Sequence, residues 1–164
     1  MGAFVLTNKK AQTLTYDFFI AMGIFFIILT IIMGYWHYSM LQMQEISEKN
    51  KAINTLFLSS QAWFKEGYPK YWDINDVREL GMSNDYAINR SKMEMLYVLG
   101  YSKIAYLLNL GTYNLQYTIH NASNSTLFQF PLGVNLTSAK NIYKIERLGI
   151  LDEKPVNIRT IIWD

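Results

Sequence analysis

The sequence predicts an α+β protein, in which one long N-terminal helix precedes a small domain with a four-stranded antiparallel sheet. Three observations predict this fold class. Residues 18–41 form an apolar run without Asp, Glu, Lys or Arg. Apolar residues then recur at helical spacing as far as residue 64. The last third of the chain alternates apolar and polar residues between turns rich in Asn, Ser, Gly and Pro, and helices followed by strands favour an α+β domain.

The apolar run is long enough to cross a membrane as a helix, since a hydrocarbon core of about 30 Å needs about 20 helical residues. The rings of Tyr35, Trp36 and Tyr38 lie at its far end, as rings do at the headgroup level. Lys9 and Lys10 precede it, which predicts a cytoplasmic N-terminus and an exterior C-terminal domain. The alternative is a buried core helix, which a domain this small rarely surrounds on every side.

A second helical segment continues the run over residues 42–66. Its apolar stripe comprises Met43, Ile46, Asn50, Ile53, Phe57, Ser60 and Phe64, widened by Leu56 and Trp63. Gly67, Tyr68 and Pro69 end the pattern. One helix is therefore predicted from about residue 15 to about residue 65, on the order of 75 Å long. We expect its amphipathic half to pack against the sheet.

The rest of the chain is predicted to hold short helices and then strands. Residues 75–80 predict a short helix that Gly81 ends, and Ser91 with Glu94 predicts the capped start of another. Gly100 and Tyr101 should bend or divide this second helix. The four predicted strands cover residues 113–120, 127–130, 142–148 and 156–163.

Composition excludes several classes of function. The chain has 15 Lys and Arg against 13 Asp and Glu, without a basic run, so nucleic acid is not an expected partner. It has no cysteine, and its two histidines lack neighbouring metal ligands. Asp73, Asp76 and Glu79 more often stabilise a helix start than act in catalysis. Phosphate loops and hydrolase motifs are absent from the sequence. We expect no enzyme, no metal and no cofactor.

The segment before the apolar run contains a candidate cleavage site. The basic pair is followed by Ala11 and Gln12, whereas no small-residue cleavage site follows the apolar run. This order resembles the class III signal peptide of archaeal type IV pilin-like proteins. In that family a prepilin peptidase removes a short cytoplasmic leader after a small residue, usually before Gln. The resemblance therefore implies cleavage between Ala11 and Gln12.

Asp17 is the one acidic residue near the start of the mature chain that this cleavage would create, although one residue further along than the family pattern. A carboxylate at the edge of a spanning helix is usually functional. The resemblance implies that Asp17 pairs with the terminal amine of a neighbouring subunit. The alternative is that Asp17 caps the helix start.

Later marks extend this resemblance loosely over nearly the whole chain. They are Gly67, Pro69, Trp72, Leu80, Gly81, Asn89, Lys92, Leu96, Tyr101, Glu146, Arg147 and Trp163. The implied organisation is a cleaved leader (1–11), a transmembrane helix (12–41), its amphipathic continuation (42–66) and an extracellular α+β domain (67–164).

The resemblance implies a structural subunit or minor component of an archaeal type IV pilus-like surface filament. The implied partners are the membrane, a prepilin peptidase, and copies of the chain or related pilin-like subunits. The alternative function is a permanently membrane-anchored extracellular binding or sensing domain that keeps residues 1–11 and does not polymerise.

Four Asn-x-Ser/Thr sequons lie beyond the predicted membrane span, at Asn89, Asn121, Asn124 and Asn135. An exterior location would expose them to N-glycosylation. The alternative is that polar turns generate such triplets by chance.

Overall fold

The computed structural model describes the backbone of residues 6–164 and the side chains of residues 16–164. The described helices are α1 (Leu6–Gln61), α2 (Arg90–Leu99) and α3 (Tyr101–Leu107). The described strands are β1 (Ser83–Asn84), β2 (Ala87–Ile88), β3 (Asn114–His120), β4 (Thr126–Phe130), β5 (Ile142–Leu151) and β6 (Lys154–Trp163). These elements confirm the α+β class. The chain divides into two compact units, Met1–Glu48 and Lys49–Asp164.

The described part of the first unit belongs to α1. This helix begins at Leu6, earlier than predicted, because residues 6–15 contain neither Pro nor Gly to stop it. It continues through Gly34 without a break in helical structure. From Tyr16 onward this helix is long and apolar enough to span a membrane, and no part of its most apolar 18-residue segment is buried.

The second unit contains a mixed six-stranded sheet in the order β1-β2-β5-β6-β3-β4. The prediction of a four-stranded antiparallel sheet is wrong. The four predicted strands are present and antiparallel, but β1 and β2 extend the sheet, and β2 pairs with β5 in parallel through Ile88 and Leu151. Strands of two residues are too short to show an alternating pattern in sequence.

Two hairpins are closed by pairs of residues with positive φ. Asp152 and Glu153 join β5 to β6 at φ 50° and 61°, and Asp85 and Tyr86 join β1 to β2 at φ 49° and 70°. Positive φ at both central residues matches the twist of a two-residue hairpin, a conformation for which glycine is the usual choice. Tyr86 adopts it with its side chain 99% exposed.

The core of the second unit lies between one face of the sheet and the three helical segments. The largest fully buried side chains include Trp63, Trp72, Tyr117, Met82, Leu96, Ile104 and Ile158. β6 contributes alternate residues, as expected for a strand with one covered face, whereas β3 is buried at every position from Leu115 to His120. This core fixes the C-terminal end of α1 against the sheet.

The helix α2 begins at a different capping residue from the one predicted. Asn89, rather than Ser91, caps α2, because its Oδ1 accepts a hydrogen bond from the Lys92 amide at 3.0 Å. The predicted division is confirmed, since Gly100 adopts φ 76° between α2 and α3.

The predicted helix over residues 75–80 is wrong. The Asp73 carboxylate accepts hydrogen bonds from the Asn75 and Asp76 amides at 2.7 and 3.1 Å. Tyr68 and Glu79 pair as an isolated bridge. The short acidic side chain and the bridge give these backbone groups partners outside a helix, so the segment forms turns.

Candidate functional site

The part of α1 in the second unit has an inner face that packs against its own sheet. Ala52, Leu56 and Ser59 lie on this face and Trp63 continues it, and all four are buried. The Trp63 ring contacts the Tyr117 ring edge-on, with centroids 5.1 Å apart. The Tyr117 hydroxyl donates a hydrogen bond to the Ser59 carbonyl at 2.7 Å, and burial raises the pKa of this hydroxyl.

A second apolar surface, the outer stripe, consists of Ile53, Phe57 and Phe64, which are 47%, 44% and 42% exposed. Each follows an inner-face residue directly in sequence, and successive residues of a helix lie about 100° apart around its axis. The prediction that the apolar stripe packs against the sheet is therefore wrong in part. Leu56 and Trp63 are buried as predicted, whereas these three residues stay more than two-fifths exposed. The small side chains of Ala52 and Ser59 face the sheet instead, which lets the helix lie close to it.

Arg147 of β5 lies over the outer stripe. Its guanidinium is 4.9 Å from the centroid of the Phe57 ring and 5.6 Å from that of Phe64, within the range of cation–π attraction. The neighbouring Glu146 pairs instead with Lys144 and Arg159, at 3.4 and 2.7 Å. Within the part of the chain whose side chains are described, no carboxylate oxygen lies within 4.0 Å of the Arg147 guanidinium.

The Glu146 carboxylate has two cationic partners, Arg159 and Lys144, whereas the Arg147 guanidinium has no ionic partner among the described side chains. Its hydrogen bonds from Arg159 and then Lys144 lower its pKa. Sequence reasoning noted Glu146 and Arg147 as neighbouring marks of one strand but not their opposite roles. Alternation along a strand, which sends successive side chains to opposite faces, is the signal that could have separated them.

A buried lysine fixes the chain that leaves the helix. The Lys92 ammonium is in a side chain only 3% exposed. It donates to the carbonyl oxygens of Glu66, Lys70 and Ser83 at 2.6, 2.7 and 3.3 Å, and to Asn84 Oδ1 at 2.7 Å. Burial lowers the pKa of Lys92, although the Glu66 carboxylate opposes the shift. The four acceptors make the ammonium form favourable here and join α2 to the segment after α1 and to β1.

The predicted leader junction lies where the structure gives only backbone. Ala11 and Gln12 belong to α1, but their side chains lie outside the described residues. Asp17 is an exposed residue of the same helix, and it has no ion-pair partner among side chains 16–164. In the uncleaved chain α1 begins at Leu6, so Asp17 lies within the helix rather than in its first turn.

The four sequon asparagines fall into two pairs by exposure. Asn89 and Asn121 are half-buried, and each uses its Oδ1 to accept a backbone amide, at 3.0 and 2.8 Å. Asn124 and Asn135 are exposed. The Asn135 Oδ1 accepts the amide and hydroxyl of Thr137, at 3.0 and 2.7 Å. A glycan attached to Asn124 or Asn135 would therefore contact less of the domain than one attached to Asn89 or Asn121.

The remaining polar candidates do not converge on one place. His37 is exposed on α1, whereas His120 is buried with its Nδ1 3.5 Å from the Thr126 hydroxyl. Asp73 and Asp76 accept backbone amides of their own turn. Over residues 16–164, no three His, Asp or Glu side chains are grouped so as to hold a metal ion.

Comparisons of the chain with protein-family models, with curated proteins and with solved structures find no match. Function is therefore inferred from the surfaces of the molecule. Two apolar surfaces are exposed on α1, one over residues 18–41 and one along the outer stripe. Each has one charged side chain without an ionic partner among the described residues, Asp17 beside the first and Arg147 on the second.

Proposed function

We propose that this protein is a structural subunit or minor component of a type IV pilus-like surface filament. In this proposal the chain is first inserted in the membrane with its C-terminal domain outside. A prepilin peptidase then cleaves it between Ala11 and Gln12. Copies of the chain, or related subunits, assemble through α1, and the mechanism is association rather than catalysis.

The observation that supports assembly best is the outer stripe. A membrane anchor needs one apolar surface, which residues 18–41 supply. A solitary exterior domain gains nothing from a further apolar stripe in water, where exposed large apolar side chains in a contiguous patch mark interaction sites. Ile53 and Phe57 of α1 form such a stripe with Phe64, which lies in the turn directly after the helix. A helix that packs with other helices along its length would use both surfaces.

During assembly, the apolar half of α1 would leave the bilayer, and side chains of other helices would replace lipid tails around it. Lipid tails are as apolar as the side chains of residues 18–41, so helices gain little by hydrophobic burial when they leave the bilayer. They associate instead through close packing and through polar groups that find partners. Asp17 is such a group, since a carboxylate carried among apolar helices is costly without a partner.

The test determines both the N-terminal residue and the location of the native protein. Cells that express the chain are sheared, and the released fraction is examined by negative-stain electron microscopy with an antibody against residues 67–164. Intact mass and terminal-peptide analysis then identify the first residue. We expect filaments that carry the antibody, built from a chain that begins at Gln12.

The opposite result would support the permanently anchored binding or sensing domain. In that case the chain would begin at Met1 or Gly2 and stay in the membrane fraction after shearing. Cleaved chains found only in the membrane would also contradict a filament subunit.

A further inference from the structure

We infer that Arg147 is the ionic partner of Asp17 from a neighbouring copy of this chain. In this arrangement the apolar N-terminal half of α1 from the second copy lies along the outer stripe and brings its carboxylate to the guanidinium. The inference rests on the proposed function, because it requires copies that associate through α1. It names a partner residue in the sheet, whereas the family resemblance implies a terminal amine.

Asp17 supplies the negative member of the pair. Its side chain is exposed on α1, directly before a run of residues, 18–41, that carries no charge. When such a run packs among other helices, water leaves the carboxylate, and an unpaired carboxylate in apolar surroundings is strongly disfavoured. A cation close to the residue is the partner that would keep this carboxylate ionised when the run is covered.

Arg147 supplies the positive member, and its position is fixed before any partner arrives. The rings of Phe57 and Phe64 hold the guanidinium over the outer stripe, at 4.9 and 5.6 Å from their centroids. A helix laid on these rings would cover the guanidinium as well. Arginine suits this role, because its planar group can stack on a ring and still donate to a carboxylate at its edge.

The other cations of the second unit fit this role less well. Five pair with carboxylates of the domain, namely Lys65, Lys70, Arg90, Lys144 and Arg159. Six have no ion pair among the described side chains, but none of them lies over a ring of the outer stripe: Lys49, Lys51, Arg78, Lys103, Lys140 and Lys154. Lys92 is buried among four acceptors. Charge complementarity between an unpaired acid and an unpaired base, each set in an apolar surface that the chain leaves uncovered, therefore favours a second copy as the occupant of the outer stripe.

A cross-linking experiment tests the contact directly. The chain has no cysteine, so Asp17→Cys combined with Arg147→Cys introduces the only two thiols. This variant lacks both charges, so its filament yield should fall as in the charge variants below, and the filaments that remain are treated with a short bifunctional maleimide and dissolved in detergent. Because the contact joins different residues of different copies, we expect a ladder of dimers, trimers and higher multimers. Asp17→Cys with Arg159→Cys is the matched control, and it should give monomers.

A second experiment tests the charges in chains without thiols. Arg147→Gln and Asp17→Asn should each lower the amount of sheared filament by about tenfold or more, since each leaves one charge covered without a partner. The double variant should lose no more than either single variant. Arg159→Gln, which removes the same charge from the neighbouring strand, should assemble like the wild type.

The outcomes separate this inference from the proposed function. Wild-type filaments with no ladder, together with normal assembly of Arg147→Gln, would overturn the Arg147 contact and leave the filament proposal intact. Loss of assembly by Asp17→Asn but not by Arg147→Gln would also overturn it and favour the terminal amine. Absence of filaments in the wild type would overturn both. Normal assembly of Asp17→Asn, a change outside the domain, would overturn the inference even if Arg147→Gln accumulates poorly.

Discussion

The inner face and the outer stripe of α1 lie side by side on one stretch of chain but have opposite compositions. The inner face combines the small Ala52 and Ser59 with Leu56 and Trp63, and all of it is buried. The outer stripe has larger side chains on average, and each remains more than two-fifths exposed. In this helix the more uniformly large apolar surface faces outward.

The difference shows that burial follows fit rather than hydrophobicity alone. Small side chains let the helix backbone approach the sheet closely enough for the Tyr117 hydroxyl to reach the Ser59 carbonyl. Large side chains at those positions would hold the helix away and overpack the core. A surface of large apolar side chains that lies outside the core is free to contact another molecule.

The largest expected effect comes from the inner face. Trp63 is 0% exposed and packs against Tyr117 and Phe128. Trp63→Ala should lower the free energy of unfolding by about 3–5 kcal/mol, because it removes a large buried ring and leaves a cavity. Denaturant unfolding of the full chain in detergent micelles, followed by circular dichroism, measures this change. A loss below about 1 kcal/mol would show that this face is not the packed one.

Loss of the Lys92 hydrogen bonds, which hold the segment after α1, should give the next largest effect. Lys92→Met removes four hydrogen bonds to buried or half-buried acceptors, and we expect a loss of about 3 kcal/mol in the free energy of unfolding. Lys103→Met, an exposed change of the same kind in α3, should stay within about 0.5 kcal/mol. Equal effects of the two substitutions, measured by thermal unfolding, would contradict the role of Lys92.

The outer stripe should respond in the opposite way. Phe57→Ala should lower the free energy of unfolding by only about 1–2 kcal/mol, because the residue is 44% exposed, but it should abolish filaments in the sheared fraction. Its neighbour Leu56, 6% exposed, provides the contrast: Leu56→Ala should cost about 2–5 kcal/mol. Normal filament yield from Phe57→Ala would remove the main support for assembly through this surface.

The smallest effect tests the polar part of the inner face. The Ser59 hydroxyl is buried without a hydrogen-bond partner among the described residues, so Ser59→Ala should raise the free energy of unfolding by about 0.5–1 kcal/mol. Ser60→Ala removes a hydroxyl that donates to the Phe57 carbonyl at 2.8 Å, and it should bring no gain. High-precision calorimetry of the two variants distinguishes them. Destabilisation by Ser59→Ala would indicate a partner for that hydroxyl.

The sequence predicted the elements whose signals are long. The charge-free run and the helical spacing predicted α1. Alternation predicted β3 and β5, a short apolar run predicted β4 and a run of branched residues predicted β6, within a few residues of their ends. It missed β1 and β2, which have two residues each. It also placed a helix over residues 75–80, where the Asp73 side chain and the Tyr68 bridge satisfy the backbone in turns.

The candidate site was harder to predict, because it depends on which face of the helix is covered. Ile53 and Leu56 fit the same helical spacing, but only the sheet decides which of them is buried. The contact of Arg147 with Phe57 joins residues far apart in sequence, and neither residue signals the other. Asp17 was predicted as a functional residue from the family resemblance, together with its position at the edge of an apolar run, and that role stays a prediction.

The Lys92 contacts cross-link three segments of a domain that has no cysteine. Small domains outside cells commonly use disulfides for such links, and those bonds need an oxidant to form and fail under reductants. A cross-link made of hydrogen bonds from one ammonium has neither dependence. A segment pulled away from Lys92 by mechanical load could return to it unaided, whatever the redox state of the surroundings.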